Sequence, residues 1–91
     1  KWRAKIDFII NSVLKGSTVD DLDPYLANLL RIGTFEIHFR KVPPAIATDS
    51  IIRVVKERFD FSRAKFVNAL MHSMERFDVD KALKKHYLKV D

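Results

Sequence analysis

Apolar residues Ile6, Ile9, Ile10, Val13 and Leu14 recur three and four apart, the spacing that lines one face of an α-helix. They predict a first helix over residues 2–14. Gly16 follows, suited to the left-handed position beyond a helix end. Asp23-Pro24 is a start signal, because the carboxylate accepts orphan backbone N–H groups and proline is pre-set for the first helical position. The second helix is predicted from Pro24 to about Phe39. Its apolar set, Leu26, Leu29, Leu30, Ile32, Gly33, Phe35, Ile37 and Phe39, goes nearly all the way round, so a central, well-buried helix is expected. A glycine at position 33, in the middle of such a helix, costs about 1 kcal/mol relative to alanine and calls for a reason; close packing of a neighbouring helix supplies one.

Val42-Pro43-Pro44 predicts an extended exit, since proline disfavours helical geometry in the residue before it. Asp49, or Thr48 before it, is the expected cap of a third helix whose core face is Ile51, Ile52, Val54 and Val55. Its β-branched density also fits a strand, while its charged end Lys56-Glu57-Arg58 fits a helix, so the residues alone leave both open. Phe59-Asp60-Phe61-Ser62 reads as a turn with Ser62 as N-cap. Phe66, Val67, Leu70, Met71 and Met74 mark a fourth helix ending near Arg76. A weaker last helix is expected at Val79 to Leu88, with Leu83, Tyr87 and Leu88 beneath Lys81, Lys84, Lys85 and Lys89. No repeat, low-complexity tract or internal linker breaks residues 1–91, which read as one domain.

A globule of 91 residues buries about two-thirds of the surface its unfolded chain exposes, enough for one modest core. With 47% hydrophobic and 32% charged residues, the chain is not a disordered tail. No apolar run approaches the ~20 residues of a membrane span, and the expectation is a soluble, cytoplasmic protein without membrane contact. Cysteine is absent, which removes disulfides and thiolate metal chemistry. The net charge of +5 favours polyanions. His38, His72 and His86 have no spacing that makes a metal site and read as surface or half-buried polar side chains. Asp7 and Glu36 lack a nucleophile or phosphate-binding glycine loop beside them. No catalytic residue, metal or cofactor is therefore expected.

Two blocks sharpen the picture: Leu30-Arg31-Ile32-Gly33-Thr34-Phe35-Glu36-Ile37, and Lys65-Phe66-Val67-Asn68-Ala69-Leu70. With Val42-Pro43-Pro44 and Ile46 to Ile52 between them, and Ile6-Asp7-x-Ile9-Ile10 and Leu14-Lys15-Gly16 upstream, the chain resembles the NusB family over roughly residues 6–77. That family carries a Leu-Arg-Leu-Gly/Ala-x-x-Glu-Leu helix, a Pro-containing turn and a Lys-Phe-Val-Asn-Gly-Val-Leu helix, so Ala69 departs from it. The resemblance implies an all-α, NusB-like bundle of about five helices that binds RNA. It occurs either as the N-terminal accessory domain of an RNA 5-methylcytosine methyltransferase or as a free antitermination factor acting with a ribosomal protein. Residues 78–91 look like a connecting helix to a downstream domain, which places the methyltransferase reading first, with ribosomal RNA as partner. The family's Arg-rich first helix has no counterpart at residues 1–5, which keeps a third reading open, a protein-interaction bundle.

Basic residues at helix ends and turns are the expected RNA contacts: Arg40 and Lys41, Lys56 and Arg58, and Arg63 and Lys65. The resemblance gives the last two the strongest claim, because in NusB relatives the loop before Phe-Val-Asn lies beside RNA. Phe61 is expected either to stack on an unpaired base or to plug a gap between helices. Arg31 and Glu36 are expected to make ion pairs or hydrogen bonds at helix crossings, and Asn68 a structural hydrogen bond.

Overall fold

From residue 24 onward, each long helix starts where a cap or a proline disposes of its first backbone N–H groups. In the computed structural model, which describes residues 2–14, 16–78 and 80–82, the helices are α1 (Trp2–Val13), α2 (Pro24–His38), α3 (Pro44–Arg58) and α4 (Phe61–Glu75). A single 3₁₀ turn, Val19–Asp21, lies between α1 and α2. Among the described residues there is no strand, so the architecture is the expected all-α bundle and the third segment is a helix. The last expected helix is described only at its start, where Asp78 accepts the Lys81 N–H at 3.0 Å. Leu83, Lys84, Lys85, His86, Tyr87, Leu88 and Lys89 lie outside the described residues.

Asp23 caps α2 as expected: its Oδ1 accepts the Tyr25 and Leu26 N–H groups at 2.9 and 3.4 Å. Two other starts differ from expectation. α3 begins at Pro44 with Pro43 as N-cap (φ −54°, ψ 130°), so Thr48 and Asp49 lie inside the helix, where Asp49 pairs with Arg53 at 2.8 Å. A proline at the first helical position lacks only an N–H that would be an orphan anyway, so no side-chain acceptor is needed. α4 is capped by Asp60 rather than Ser62, its Oδ1 accepting the Arg63 N–H at 2.9 Å. Asp60 holds the extended geometry of a cap (φ −131°, ψ 178°), which leaves Ser62 within the first turn.

Among the described residues, two take left-handed backbone. Gly16 does so past the end of α1 (φ +89°) at no steric cost. Lys41 does so at φ +59°, a conformation that costs an L-residue about 1–2 kcal/mol. The bend lets Val42 N–H reach back to the Glu36 carbonyl at 2.8 Å, closing the end of α2.

α2 is central and packs against α1, α3 and α4. Its buried face is Leu26, Ala27, Leu30, Gly33, Thr34 and Ile37; it meets Ile6, Ile9 and Ile10 of α1, Ala47, Ile51 and Val55 of α3, and Val67, Leu70, Met71 and Met74 of α4 in one core. Gly33 explains itself there: a Cβ at this position would run into Ile51 Cδ1 and come within 2.7 Å of Met71 Cε. Among the described residues Thr34 is the buried polar one, and its hydroxyl donates to the Leu30 carbonyl at 2.7 Å. The helix is less uniformly buried than its apolar count predicts. Ile32 is 54% exposed, and on α4 Phe66 is 38% exposed beside the end of α1.

Candidate nucleic-acid interface

The α3–α4 connection is only Phe59 and Asp60, so the two helices run back to back as a tight hairpin, and the N-terminus of α2 comes up beside its turn. Within residues 56–65 the sequence places four cations, Lys56, Arg58, Arg63 and Lys65, against two carboxylates, Glu57 and Asp60. All four cations are exposed. Three of them, Arg58, Arg63 and Lys65, are held over aromatic faces. The Arg58 guanidinium lies 4.9 Å from the Tyr25 ring centroid, Tyr25 and Phe59 rings sit 6.1 Å apart, and Arg63 lies 5.6 Å from Phe59. Lys65 Nζ lies 5.5 Å from the Phe61 ring.

Cation–π contact of this kind attracts a cation to the ring without neutralising it, so each charge keeps a defined position and remains available to a phosphate. Arg63 is partly engaged: Asp60 accepts from its Nη1 at 2.9 Å, with both side chains about half exposed. An exposed pair of this type is worth at most ~1 kcal/mol and is readily exchanged. Phe61 is 67% exposed, so it does not plug a gap between helices. It sits instead at the mouth of a groove of about 300 Å³ lined by Ile52, Lys56, Phe61, Ala64, Lys65 and Asn68.

The expected contact residues therefore separate into two groups. Lys56, Arg58, Phe61, Arg63 and Lys65 share the turn end of the hairpin. Arg40 and Lys41 are exposed beside the start of α3, at its other end, about 20 Å away for a helix of this length at 1.5 Å per residue. Tyr25 belongs to the first group although its sequence context gave it no site role. Its signal is an aromatic directly after the Asp23-Pro24 cap, 41% exposed and outside the core face of α2.

Other expectations resolve as structure. Arg31 Nε donates to Asp7 Oδ1 at 2.8 Å and its Nη2 lies 3.7 Å from Asp20, so it ties α1 and the 3₁₀ turn to α2. The Asp7 hydrogen bond, opposed by partial burial, raises the Arg31 pKa above the ordinary arginine value. His38 is half-buried, with Nε2 2.9 Å from the Met74 carbonyl, while His72 is exposed. Asn68 differs from expectation: it is exposed and makes no side-chain hydrogen bond among the described residues, because its face of α4 opens onto the groove. Among the described residues no group of His, Asp and Glu could hold a metal ion, and no helix is long and apolar enough to cross a membrane.

The chain is similar to a protein named transcription antitermination protein NusB from Methylacidiphilum infernorum (isolate V4), with 33% identity over 66 residues. The aligned part covers 71% of this chain and 46% of the relative, so the chain spans about half the length of the curated relative it matches. No solved structure matches it significantly. The model of the NusB family matches residues 1–76, across all four α-helices and both sequence blocks that carry the resemblance, and the chain belongs to the NusB family.

Proposed function

We propose that this chain is an RNA-binding domain whose main contact surface is the turn end of the α3–α4 hairpin. The observation that carries the reading is the ordered cation–aromatic array of Tyr25, Arg58, Phe59 and Arg63 beside the Lys65–Phe61 pair. Fixed, exposed guanidinium and ammonium groups position a phosphate backbone, and an exposed ring offers a stacking platform to an unpaired base. Long-range attraction follows from the net charge of +5. Arg40 and Lys41 form a second, separate contact that a longer RNA reaches along the hairpin.

Between the two biological settings, the name of a matching relative, transcription antitermination protein, favours the antitermination factor, and it reverses the order expected from the sequence. An accessory domain of an rRNA methyltransferase is the second reading, supported by the Lys-rich stretch after residue 78. In either setting the chain itself binds and does not catalyse, and a cytoplasmic location follows.

The test is a salt titration of single-stranded RNA affinity. Each phosphate contact contributes a log–log slope of about 0.7 for single strands, so Arg63→Ala combined with Lys65→Ala lowers the slope by roughly 1.4. An unchanged slope places the RNA elsewhere. No affinity for any RNA at low salt rejects the reading and leaves the protein-interaction bundle.

A further inference from the structure

We propose that the groove between α3 and α4 is a pocket for one unpaired adenine, with Asn68 as the residue that reads it; this rests on the RNA-binding reading above. Asn68 lies inside α4, where asparagine is a poorer helix former than alanine, and it obtains no structural hydrogen bond in return. Exposed and without a protein partner among the described residues, the Asn68 amide is free to meet a group outside the helix. Phe61 poses the same question at the first position of α4, with two-thirds of a large apolar side chain left to solvent.

The two residues line one groove of about 300 Å³ with Ile52, Lys56, Ala64 and Lys65. They are seven residues apart, two helical turns or about 10 Å along the axis, a span that a purine lying along the groove fills. Ala64 between them is small and buried, which leaves Lys65 as the one long side chain of α4 beside the space between them. Lys65 covers part of the Phe61 ring and leaves the rest of this well-exposed side chain open for stacking.

Lys56 and Lys65 stand on opposite walls, one on α3 and one on α4, where they meet the phosphates on either side of an inserted nucleotide. The charge of the groove thus matches a nucleotide, and its apolar Ile52 wall and Phe61 match a base. The Asn68 amide supplies one acceptor and two donors, the set that pairs side by side with the amino group and the adjacent ring nitrogen of adenine.

The experiment measures binding of the full chain to uridine heptamers that carry one central adenosine, cytidine or guanosine, and to the all-uridine parent, by fluorescence anisotropy at fixed low salt. The adenosine heptamer should bind about fivefold or more tightly than the uridine parent. Asn68→Ala should bring that ratio close to one. Asn68→Asp, which offers acceptors only, should move the preference to guanosine, whose edge presents two adjacent donors. Phe61→Ala should weaken all four RNAs by about fivefold or more. Both side chains are exposed, so thermal melting by circular dichroism should show no loss of stability beyond about 0.5 kcal/mol for any variant, with Asn68→Ala slightly higher because alanine is the better helix former.

Equal affinity of the parent protein for all four heptamers overturns the pocket, as does a ratio that survives Asn68→Ala. Binding of structured RNA with no binding of the heptamers overturns the pocket but leaves the RNA-binding reading standing. Failure to bind any RNA removes both.

Discussion

Arg31 and Arg63 show how one residue type serves opposite ends in the same small bundle. The Arg31 side chain is 16% exposed and is shared between Asp7 and Asp20 on two other elements. The Arg63 side chain is 51% exposed, and its carboxylate partner, Asp60, is three residues away on its own helix end. The first arrangement spends the charge on holding α1, the 3₁₀ turn and α2 together. The second keeps the charge at the surface, oriented by Phe59. Partner location decides the role: a carboxylate distant in sequence welds elements, whereas a local one only orients.

Substitution at the packed side of the molecule has the largest expected effect on stability. Gly33→Leu overpacks the space already filled by Ile51 and Met71 and should destabilise by about 3 kcal/mol, read as a lower denaturant midpoint. A midpoint at the parent's value would mean that α2, α3 and α4 do not meet at Gly33.

Arg31→Ala comes next. It leaves Asp7 half-buried without its main partner and should cost about 2 kcal/mol, while the salt slope of RNA binding stays unchanged. Arg63→Ala should do the reverse, changing stability by less than about 0.5 kcal/mol and lowering the slope by roughly 0.7. Matching behaviour of the two variants in both assays would dissolve the comparison. Because the Arg31 pKa is raised, the stability it contributes is fully present below the ordinary arginine range and lost only as pH rises through the raised value. The Arg31→Ala penalty should therefore stay constant across the neutral range in melts at different pH, as far as Arg31 ionisation sets it.

Asp60 joins the two kinds of role and has a smaller effect. Asp60→Ala removes the α4 cap and should cost about 1 kcal/mol, while RNA affinity in the folded protein rises because Arg63 is released. Asp60→Asn keeps a capping side chain and removes the charge, so affinity should rise with stability nearly unchanged. Ser62→Ala should be smallest, within about 0.5 kcal/mol of the parent. A larger loss for Ser62→Ala than for Asp60→Ala in thermal melts would restore Ser62 as the cap.

Much of this architecture was legible along the chain. The three-and-four spacing located α1 and the apolar face of α4, Asp23-Pro24 marked the start of α2 to the residue, and the mid-helix glycine announced a close approach. α3, whose β-branched residues also fitted a strand, was read as helix from its charged end and the family resemblance. These signals are local: they depend on helix period, on φ set by proline, and on side chains that reach N–H groups two or three residues away. The misplaced boundaries share a cause. Thr48, Asp49 and Ser62 are all competent caps, and where several compete, the one whose backbone is extended as the chain enters the bundle takes the position. Pro43 and Asp60 have that geometry.

Local composition determined the all-helical class, the family membership and the clustering of Lys56, Arg58, Arg63 and Lys65, because helix period, turn residues and charge are properties of neighbours in sequence. Tertiary structure decided which faces stayed open. It left Ile32 and Phe66 to solvent, turned Asn68 toward a groove instead of a partner, set Arg40 and Lys41 apart from the other cations, and brought Tyr25 across from α2 to meet Arg58 and Phe59. An apolar or polar side chain carries no record of which neighbour will cover it; that is fixed only when the helices pack.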